Sequence, residues 1–139
     1  IMGSSAGGHL ASTVATHFTD AETRPDFQIL FYPVITMDPG YTHTGSHDDL
    51  LGRNPSKELE QKYSNEQQVN PQTILHSSDD TVVPVANSVN YYTALVNNKV
   101  PASLHIYPVG GHGWGYNDSF PYKRQWTGEL EKWLREINK

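Results

Sequence analysis

The sequence predicts an α/β fold in which parallel strands are covered by helices on both faces. Residues 27–35 are a nearly continuous apolar run, Phe-Gln-Ile-Leu-Phe-Tyr-Pro-Val-Ile, which is typical of a parallel strand buried from both sides. Pro33 is expected to stop the pairing of this strand. Apolar runs of strand length also alternate with segments of helical periodicity, in the order β-α-β-insert-β-α-β-α. This alternation corresponds to half of a doubly wound sheet, with the insert between the second and third strands.

Three segments have the spacing of amphipathic helices. In each of them apolar residues recur three or four positions apart and form one stripe, which we expect to be buried. The stripes are Leu10, Val14 and Phe18 in a helix over 8–18, Val85, Val89, Tyr92 and Val96 in a second helix, and Trp126, Leu130, Trp133, Leu134 and Ile137 in a last helix that Pro121 opens. Short apolar runs at 73–76 and 103–107 are the remaining predicted strands.

The segment Gly3-Ser4-Ser5-Ala6-Gly7 has the pattern G-x-S-x-G, between the first strand and the first helix. In this arrangement the central serine, Ser5, lies on a sharp and strained turn that projects its hydroxyl away from the sheet. We expect Gly3 and Gly7 to permit the turn, because a side chain at either position would collide across it. The backbone N–H of Ala6 then lies at a helix N-terminus, where it can stabilise a negative oxygen. The pattern alone fits an ordinary strand-to-helix connection equally well.

Two further segments supply chemical partners for Ser5. Asp79 and Asp80 follow the predicted strand at 73–76, and His112 lies in the glycine-rich segment after the strand at 103–107. The order Ser, Asp, His is that of α/β-hydrolases, whereas chymotrypsin and subtilisin have other orders. A neutral imidazole can take the proton of a serine hydroxyl, and a carboxylate can orient that imidazole. Asp80 is the favoured carboxylate, because it fits the spacing D-x-x-V-P; Asp79 is the alternative, with a turn-capping role otherwise.

Composition excludes several other classes of function. The net charge of −5, with the ten lysines and arginines scattered, argues against a nucleic-acid partner. No apolar run is long enough to span a bilayer. The chain has no cysteine, which removes disulfides and thiolate metal sites. His43 and His47 with Asp48 are not expected to bind a metal, because they fall in a predicted loop with no helix to set their geometry.

Residues 37–70 form the insert, which is rich in Gly, Ser, Asn, His and charged residues. A connection of this length is unusual unless it has a function, so we interpret it as a lid or a substrate-binding segment. Asn54 and Pro55 are predicted to begin a short helix inside it, with Leu59 and Tyr63 on one face. Outside the insert, Trp114 follows His112 closely, and it is either a pocket wall for a sugar ring or a packing residue.

Several motifs of the chain match one family in combination. They are Met2-Gly3-Ser4-Ser5-Ala6-Gly7-Gly8-His9-Leu10-Ala11, Tyr32-Pro33-Val34-Ile35, Leu50-Leu51-Gly52, Asp80-Thr81-Val82-Val83-Pro84 and Tyr107-Pro108-Val109-Gly110-Gly111-His112-Gly113. Together they resemble the acetyl-xylan-esterase-like branch of the α/β-hydrolase superfamily, over nearly the whole chain. The resemblance implies that Ser5, Asp80 and His112 form a catalytic triad, and that the Ala6 N–H is one oxyanion donor. In this family the second donor comes from an upstream His-Gly-Gly loop, which these residues do not include.

The resemblance also implies the substrate and the reaction. We expect a serine carboxylic-ester hydrolase that deacetylates a plant polysaccharide or oligosaccharide such as acetylated xylan, without a metal or cofactor. A secreted or periplasmic location would suit this substrate, although the sequence does not identify the compartment. A serine peptidase of the prolyl-oligopeptidase type is the nearer alternative, since it shares the serine, aspartate and histidine segments. A non-catalytic carbohydrate-binding module is the alternative from another class.

The position of Ser5 so close to residue 1 leads to one further expectation. The nucleophile strand of an α/β-hydrolase normally follows other strands, whereas here it is the first element. We therefore expect residues 1–139 to be the C-terminal part of a single α/β-hydrolase domain. Its partner would be the N-terminal half of the same domain.

Overall fold

A computed structural model describes residues 1–67 and 72–137 of the chain. Four strands form one sheet in the order β1-β2-β3-β4, and each neighbouring pair is parallel. The strands are β1 Met2–Ser4, β2 Gln28–Phe31, β3 Gln72–Ser77 and β4 Ala102–Tyr107. The predicted parallel sheet is therefore confirmed, and β2 ends before Pro33 as expected.

The helices follow the predicted order along the chain. They are α1 Ala6–Thr16, α2 Thr44–Leu51, α3 Lys57–Lys62, a short 3-10 helix Asn65–Gln67, α4 Ala86–Asn97 and α5 Lys123–Ile137. Successive residues of β2 point to opposite faces of the sheet. Ile29 and Phe31 lie in an aromatic cluster with Trp126 of α5, whereas Leu30 packs with Ala11 of α1 and with residues of α4. Helices thus cover both faces, as predicted for a doubly wound sheet.

The apolar stripe predicted for the last helix is largely correct. Trp126 and Trp133 are buried in α5, and Leu130 and Leu134 pack against the same cluster. Ile137, at the end of the helix, is partly exposed. Because an amphipathic surface helix buries its apolar side, this stripe fixes the orientation of α5 on the sheet.

The apolar stripe predicted for the helix after Ser5 is wrong, and in the one predicted for the helix after β3, Tyr92 does pack against the core. In α1, Leu10 is 66% exposed and Val14 is also exposed, as is Phe18 just after the helix, while the buried face carries small residues such as Ala11 and Ala15. Small side chains allow a helix to approach a sheet closely, so the bulky residues face outward. In α4 the buried face is shifted in the same way: Val89 and Val96 are exposed, and the buried residues are Asn87, Ser88, Tyr91 and Leu95.

The described part of the insert between β2 and β3 contains the α-helices α2 and α3, besides the short 3-10 helix. Of the two α-helices, α2 was not predicted. α2 has no apolar stripe, and its N-terminus is capped by His43, which accepts a hydrogen bond from the Ser46 N–H. The prediction that Asn54 and Pro55 begin a helix is wrong, because α3 begins after Ser56, whose hydroxyl accepts from the Leu59 N–H. Residues 68–70, the end of the predicted insert, lie outside the described residues.

The insert is fastened to α1 by buried polar contacts. The Asn65 side chain, 1% exposed, donates to the carbonyl of His9 and to the hydroxyls of Ser12 and Thr13. His9 and His17 each place Nε2 2.8 Å from a carbonyl oxygen at the end of α3, those of Tyr63 and Lys62 respectively. The insert therefore forms a fixed wall beside α1 rather than a loosely attached flap.

None of the helices in residues 1–67 and 72–137 has the length and apolar character needed to cross a membrane.

Candidate active site

Ser5 lies between β1 and α1 in a strained backbone conformation. Its φ of 52° and ψ of −126° fall where residues other than glycine are rare. Hydrogen bonds to β2 and the segment after it hold this conformation: the Ser5 N–H donates to the Phe31 carbonyl at 3.0 Å, and the Ser5 carbonyl accepts from the Val34 N–H at 3.0 Å. The hydroxyl is thus presented from a rigid turn, which is the predicted strand-turn-helix context of G-x-S-x-G.

Of the two glycines predicted to permit the turn at Ser5, the structure confirms Gly3 but not Gly7. A Cβ on Gly3 would lie 2.2 Å from the Gly7 carbonyl oxygen, so Gly3 is required by the turn. The same prediction for Gly7 is wrong, because a Cβ there would meet nothing within 4 Å. Gly8 is the second tight position: a Cβ would lie 2.6 Å from Pro33 Cβ. Gly8 lets α1 pack directly against the end of β2.

The structure brings Ser5, His112 and Asp80 into one hydrogen-bonded chain. Ser5 Oγ lies 2.9 Å from His112 Nε2, and His112 Nδ1 lies 2.7 Å from Asp80 Oδ2. Because a carboxylate only accepts, Nδ1 carries the proton and Nε2 is left to accept the Ser5 hydroxyl proton. Asp80 is buried, and its other oxygen, Oδ1, accepts from the N–H groups of Val82 and Val83 at 2.9 Å each. This is the arrangement that activates a serine as a nucleophile.

Asp79 has a separate contact with the same loop. Its two oxygens accept from the N–H groups of Gly110 and Gly111, at 3.1 and 2.8 Å. The bond from Gly111 is the main cause that lowers the pKa of Asp79. Gly110 has little free space, because a Cβ on it would lie 2.5 Å from the Phe120 ring and 2.7 Å from Ser77 Oγ. The segment before His112 is thus fixed from both sides.

Tyr32 supports the imidazole of His112 from the side. The two ring centroids are 4.7 Å apart, with an interplanar angle of 60°. The Tyr32 hydroxyl accepts from the Gly115 N–H at 3.1 Å, and Tyr32 itself has a positive φ of 36°. Burial raises the pKa of the Tyr32 phenol, so the hydroxyl stays protonated near neutral pH. No role was predicted for Tyr32 from the sequence. The pattern that could have indicated one is the Tyr32-Pro33 pair near the end of the predicted strand.

Ala6 is the first residue of α1, directly after Ser5. The first N–H groups of a helix have no intrahelical acceptor, and they carry the positive end of the helix dipole. The Ala6 N–H therefore lies at the helix start directly after Ser5; its donation to an oxygen bound there stays a prediction. Ala6 also lines a groove of about 330 Å³ between α1 and the insert, with Leu10, Met37 and Leu50 among its apolar walls.

Trp114 belongs to the aromatic core. It is 5% exposed, its ring stacks on Phe120 with centroids 4.1 Å apart, and its indole N–H donates to Ser77 Oγ at 2.8 Å. This burial favours the packing alternative for Trp114 over the sugar-binding role considered in the sequence analysis. The residue holds the loop after His112 against the sheet.

His47 of the insert contacts two carboxylate side chains. His47 lies in α2 rather than in a loop, which corrects the expected setting of this residue. Its Nδ1 is 2.9 Å from Asp48 and its Nε2 is 3.3 Å from Glu60 of α3. The hydrogen bond to Asp48 is the main cause that raises the pKa of His47, with Glu60 acting in the same direction and burial opposing both. In the part of the chain that the structure describes, no group of three or more His, Asp or Glu side chains is arranged to hold a metal ion.

The parallel sheet, the strained serine turn and the Ser5-His112-Asp80 geometry define the α/β-hydrolase class of fold. The profile of the prolyl oligopeptidase family matches residues 1–139, and the chain belongs to this family.

The most informative relatives carry names from xylan degradation. An acetylxylan esterase of Xylanibacter ruminicola is 42% identical over 99% of this chain, which corresponds to 30% of the relative. An endo-1,4-beta-xylanase B of Butyrivibrio fibrisolvens is 41% identical over 81% of this chain and 20% of the relative. The solved structure of an acetyl ester-xyloside bifunctional hydrolase from Caldicellulosiruptor lactoaceticus has 41% identity and a TM-score of 0.92, over 99% of this chain and 56% of that structure. The chain thus spans less than two thirds of each of these proteins.

Proposed function

We propose that this chain supplies the nucleophile Ser5, the base His112 and the orienting carboxylate Asp80 of a serine carboxylic-ester hydrolase. The enzyme would remove acetyl groups from xylan or a related plant saccharide. The observation that carries the proposal is the unbroken hydrogen-bonded chain from Ser5 Oγ through His112 to Asp80, at 2.9 and 2.7 Å. The names of the relatives favour an acetylated carbohydrate as the substrate.

The geometry supports an acyl-enzyme route. Ser5 Oγ attacks the acetyl carbonyl carbon while its proton moves to His112 Nε2, and Asp80 stabilises the imidazolium. The carbonyl oxygen becomes negative and accepts a hydrogen bond from the Ala6 N–H. The bond to the sugar oxygen then breaks, and this oxygen takes the proton from Nε2. Water repeats the sequence on the acyl-enzyme, releasing acetate and restoring the Ser5 hydroxyl.

A second part of the proposal concerns the rest of the domain. In the described residues β1 is an edge strand whose Met2 is 66% exposed, and the apolar residues Leu10 and Val14 of α1 and Phe18 just after it are exposed as well. An uncovered apolar edge favours association with another strand. We propose that an upstream half of the same domain covers this surface and supplies the second oxyanion donor. This chain joined to that upstream half would form the assembled enzyme.

Covalent labelling tests the proposed chemistry. A fluorophosphonate probe reacts only with an activated serine, so we expect an adduct on Ser5 in the assembled enzyme, located by peptide mass spectrometry. His112→Ala should abolish the adduct, whereas Ser4→Ala, a change at the neighbouring serine, should retain it. Absence of labelling in the assembled enzyme would contradict the proposal and favour a carbohydrate-binding role without turnover.

The family match keeps one other reaction under test. The matched profile is that of the prolyl oligopeptidase family, and a peptidase would use the same three residues. A labelled enzyme should therefore be offered acetylated xylan and a proline-containing peptide in parallel. We expect release of acetate and no cleavage of the peptide; the reverse result would assign a peptidase.

A further inference from the structure

A second histidine lies against Asp80, the carboxylate of the proposed triad. His76, near the end of β3, is 0% exposed, and its Nε2 is 3.0 Å from the Val83 carbonyl oxygen and 3.3 Å from Asp80 Oδ2. Its Nδ1 is 2.7 Å from Ser88 Oγ, on the first turn of α4. The sequence analysis gave His76 no part in the site. The imidazole lies between α4 and the turn that carries Asp80.

The partners of His76 determine where its proton lies. A carbonyl oxygen can only accept, so Nε2 carries the hydrogen and donates it to the Val83 carbonyl at 3.0 Å, with Asp80 Oδ2 close to the same N–H at 3.3 Å. The Ser88 hydroxyl then donates to Nδ1. Burial is the main cause that lowers the pKa of His76, which keeps the ring neutral near neutral pH. Ser88 therefore donates to His76 and His76 donates to Val83, which places the Nε2–H of His76 beside Asp80 Oδ2.

This contact completes the set of donors around Asp80. Oδ1 is held by the N–H groups of Val82 and Val83, whereas Oδ2 faces both His112 Nδ1 and His76 Nε2. Among the described residues, the other side chain in contact with Oδ2 is His112, the imidazole whose position Oδ2 must determine. The N–H edge of a rigid, fully buried ring lies against Oδ2 and supports its position independently of His112.

We propose that His76 is a positioning residue for the reaction: it orients Asp80 Oδ2 toward His112 and, because its Nε2–H lies 3.3 Å from that oxygen, weakens the attraction of the carboxylate for the His112 proton. The inference rests on the proposed esterase function. The groups that face the pair are Asp80 from the acidic turn, Ser88 from α4, Tyr32 from the end of β2 and Ser5 from the start of α1. Of these, Asp80 is the one that carries a carboxyl group.

Two substitutions of His76 separate this role from simple packing. His76→Leu keeps the volume and removes the donor, whereas His76→Gln offers an N–H near the position of Nε2. In the assembled enzyme we expect His76→Leu to lower kcat/KM for 4-nitrophenyl acetate by about tenfold or more, since hydrogen bonds to charged groups are among the stronger ones. The acidic limb of the pH profile of His76→Leu should move to higher pH. Without the His76 N–H nearby, the Asp80 carboxylate attracts the His112 proton more strongly. His76→Gln should restore both quantities.

Imidazole NMR gives a readout that does not depend on turnover. We expect wild-type His76 to show the Nε2–H tautomer without titrating near neutral pH, and His112 to titrate at higher pH in His76→Leu. His105→Leu, on neighbouring β4, controls for the loss of a strand imidazole and should leave the His112 titration unchanged. If His76→Leu does not fold, Ser88→Ala, which frees the tautomer of His76, should move the His112 titration in the same direction.

The outcomes distinguish the two proposals. Wild-type enzyme that neither binds the fluorophosphonate nor hydrolyses the ester would contradict the esterase function, and the positioning role would fail with it. Active wild-type enzyme would leave that function standing while a folded His76→Leu with unchanged pH profile and unchanged His112 titration overturned the positioning role. An Nδ1–H tautomer of His76 would also overturn it.

Discussion

Asp79 and Asp80 are adjacent in the chain, but their carboxylates hold different parts of the loop that carries His112. Asp80 Oδ2 lies 2.7 Å from His112 Nδ1, whereas Asp79 accepts from the backbone N–H groups of Gly110 and Gly111. One aspartate therefore fixes the ring and its neighbour fixes the backbone before it. Asp80 is buried and Asp79 is exposed, so their substitutions should have effects of different size.

Substitution by asparagine tests this division. Asp80→Asn should reduce kcat of the assembled enzyme by about 10⁴-fold, because an amide disfavours the required tautomer of the histidine. Asp79→Asn should reduce kcat about fivefold or less, since exposed charged contacts contribute little and an amide oxygen still accepts one N–H. Steady-state kinetics on 4-nitrophenyl acetate gives both values. A larger loss for Asp79→Asn than for Asp80→Asn would reverse the assignment of the acid.

The packing around Gly8 leads to a prediction about stability. Gly8→Ala should lower the free energy of unfolding by about 1–3 kcal/mol, since its Cβ would lie 2.6 Å from Pro33 Cβ and force α1 away from β2. Gly7→Ala is the matched control on the same helix: nothing lies within 4 Å of its Cβ, and alanine should stabilise the helix by about 0.5–1 kcal/mol. Urea unfolding of the assembled enzyme measures both. Equal effects of the two substitutions would contradict the packing argument.

The approach of Ser5, Asp80 and His112 to one another could be predicted from the sequence, although the three residues are far apart along the chain. Ser5, Asp80 and His112 each follow a strand of a parallel sheet, and the carboxyl ends of such strands meet at one edge. The partners that refine the site could not be predicted in the same way. The contacts of Tyr32 and His76 depend on side-chain directions across three elements, and no spacing in the sequence encodes them.

The helix faces were harder to predict for a physical reason. Periodicity locates an apolar stripe, but it does not say which surface the stripe meets. In α5 the stripe meets the sheet; in α1 the sheet contacts small residues, and Leu10 and Val14 lie on the outside. Helix α2 was missed because it has no apolar stripe, and its start depends on a cap from His43.

The contact between His47 and its two carboxylates predicts a pH-dependent stability. The folded protein raises the pKa of His47, so the stabilisation should be fully present below the unfolded value of about 6.5 and should disappear as pH rises through the folded pKa. The difference in melting temperature between wild type and His47→Gln should therefore be larger near pH 5.5 than near pH 8.5. Glu60→Gln should reduce this difference. A difference that grows toward alkaline pH would contradict the assignment.

The burial of Trp114 predicts an effect on stability rather than on specificity. Trp114→Ala should lower the free energy of unfolding by about 3–5 kcal/mol, as expected for the loss of a large core side chain. Trp114→Phe, which keeps most of the packing, should leave the ratio of activity on acetylated xylan to that on 4-nitrophenyl acetate unchanged. A selective loss of activity on the polysaccharide would restore the sugar-binding role considered for this residue.

The exposed surface of α1 predicts where the upstream half of the domain associates. Val14, 40% exposed, lies on this surface outside the groove beside Ala6, so Val14→Glu should prevent association of the two halves expressed as separate chains. Val96→Glu is the matched control, because Val96 is 52% exposed but lies on α4, away from β1. Association can be followed by analytical ultracentrifugation.

Association should also change the chemistry at Ser5. If the upstream half supplies the second oxyanion donor, its addition should increase the rate of ester hydrolysis by a factor of about 100 to 1,000 over this chain alone, the usual effect of one such donor. The increase should be lost with Val14→Glu and retained with Val96→Glu. Equal rates with and without the upstream half would contradict an oxyanion donor from that half.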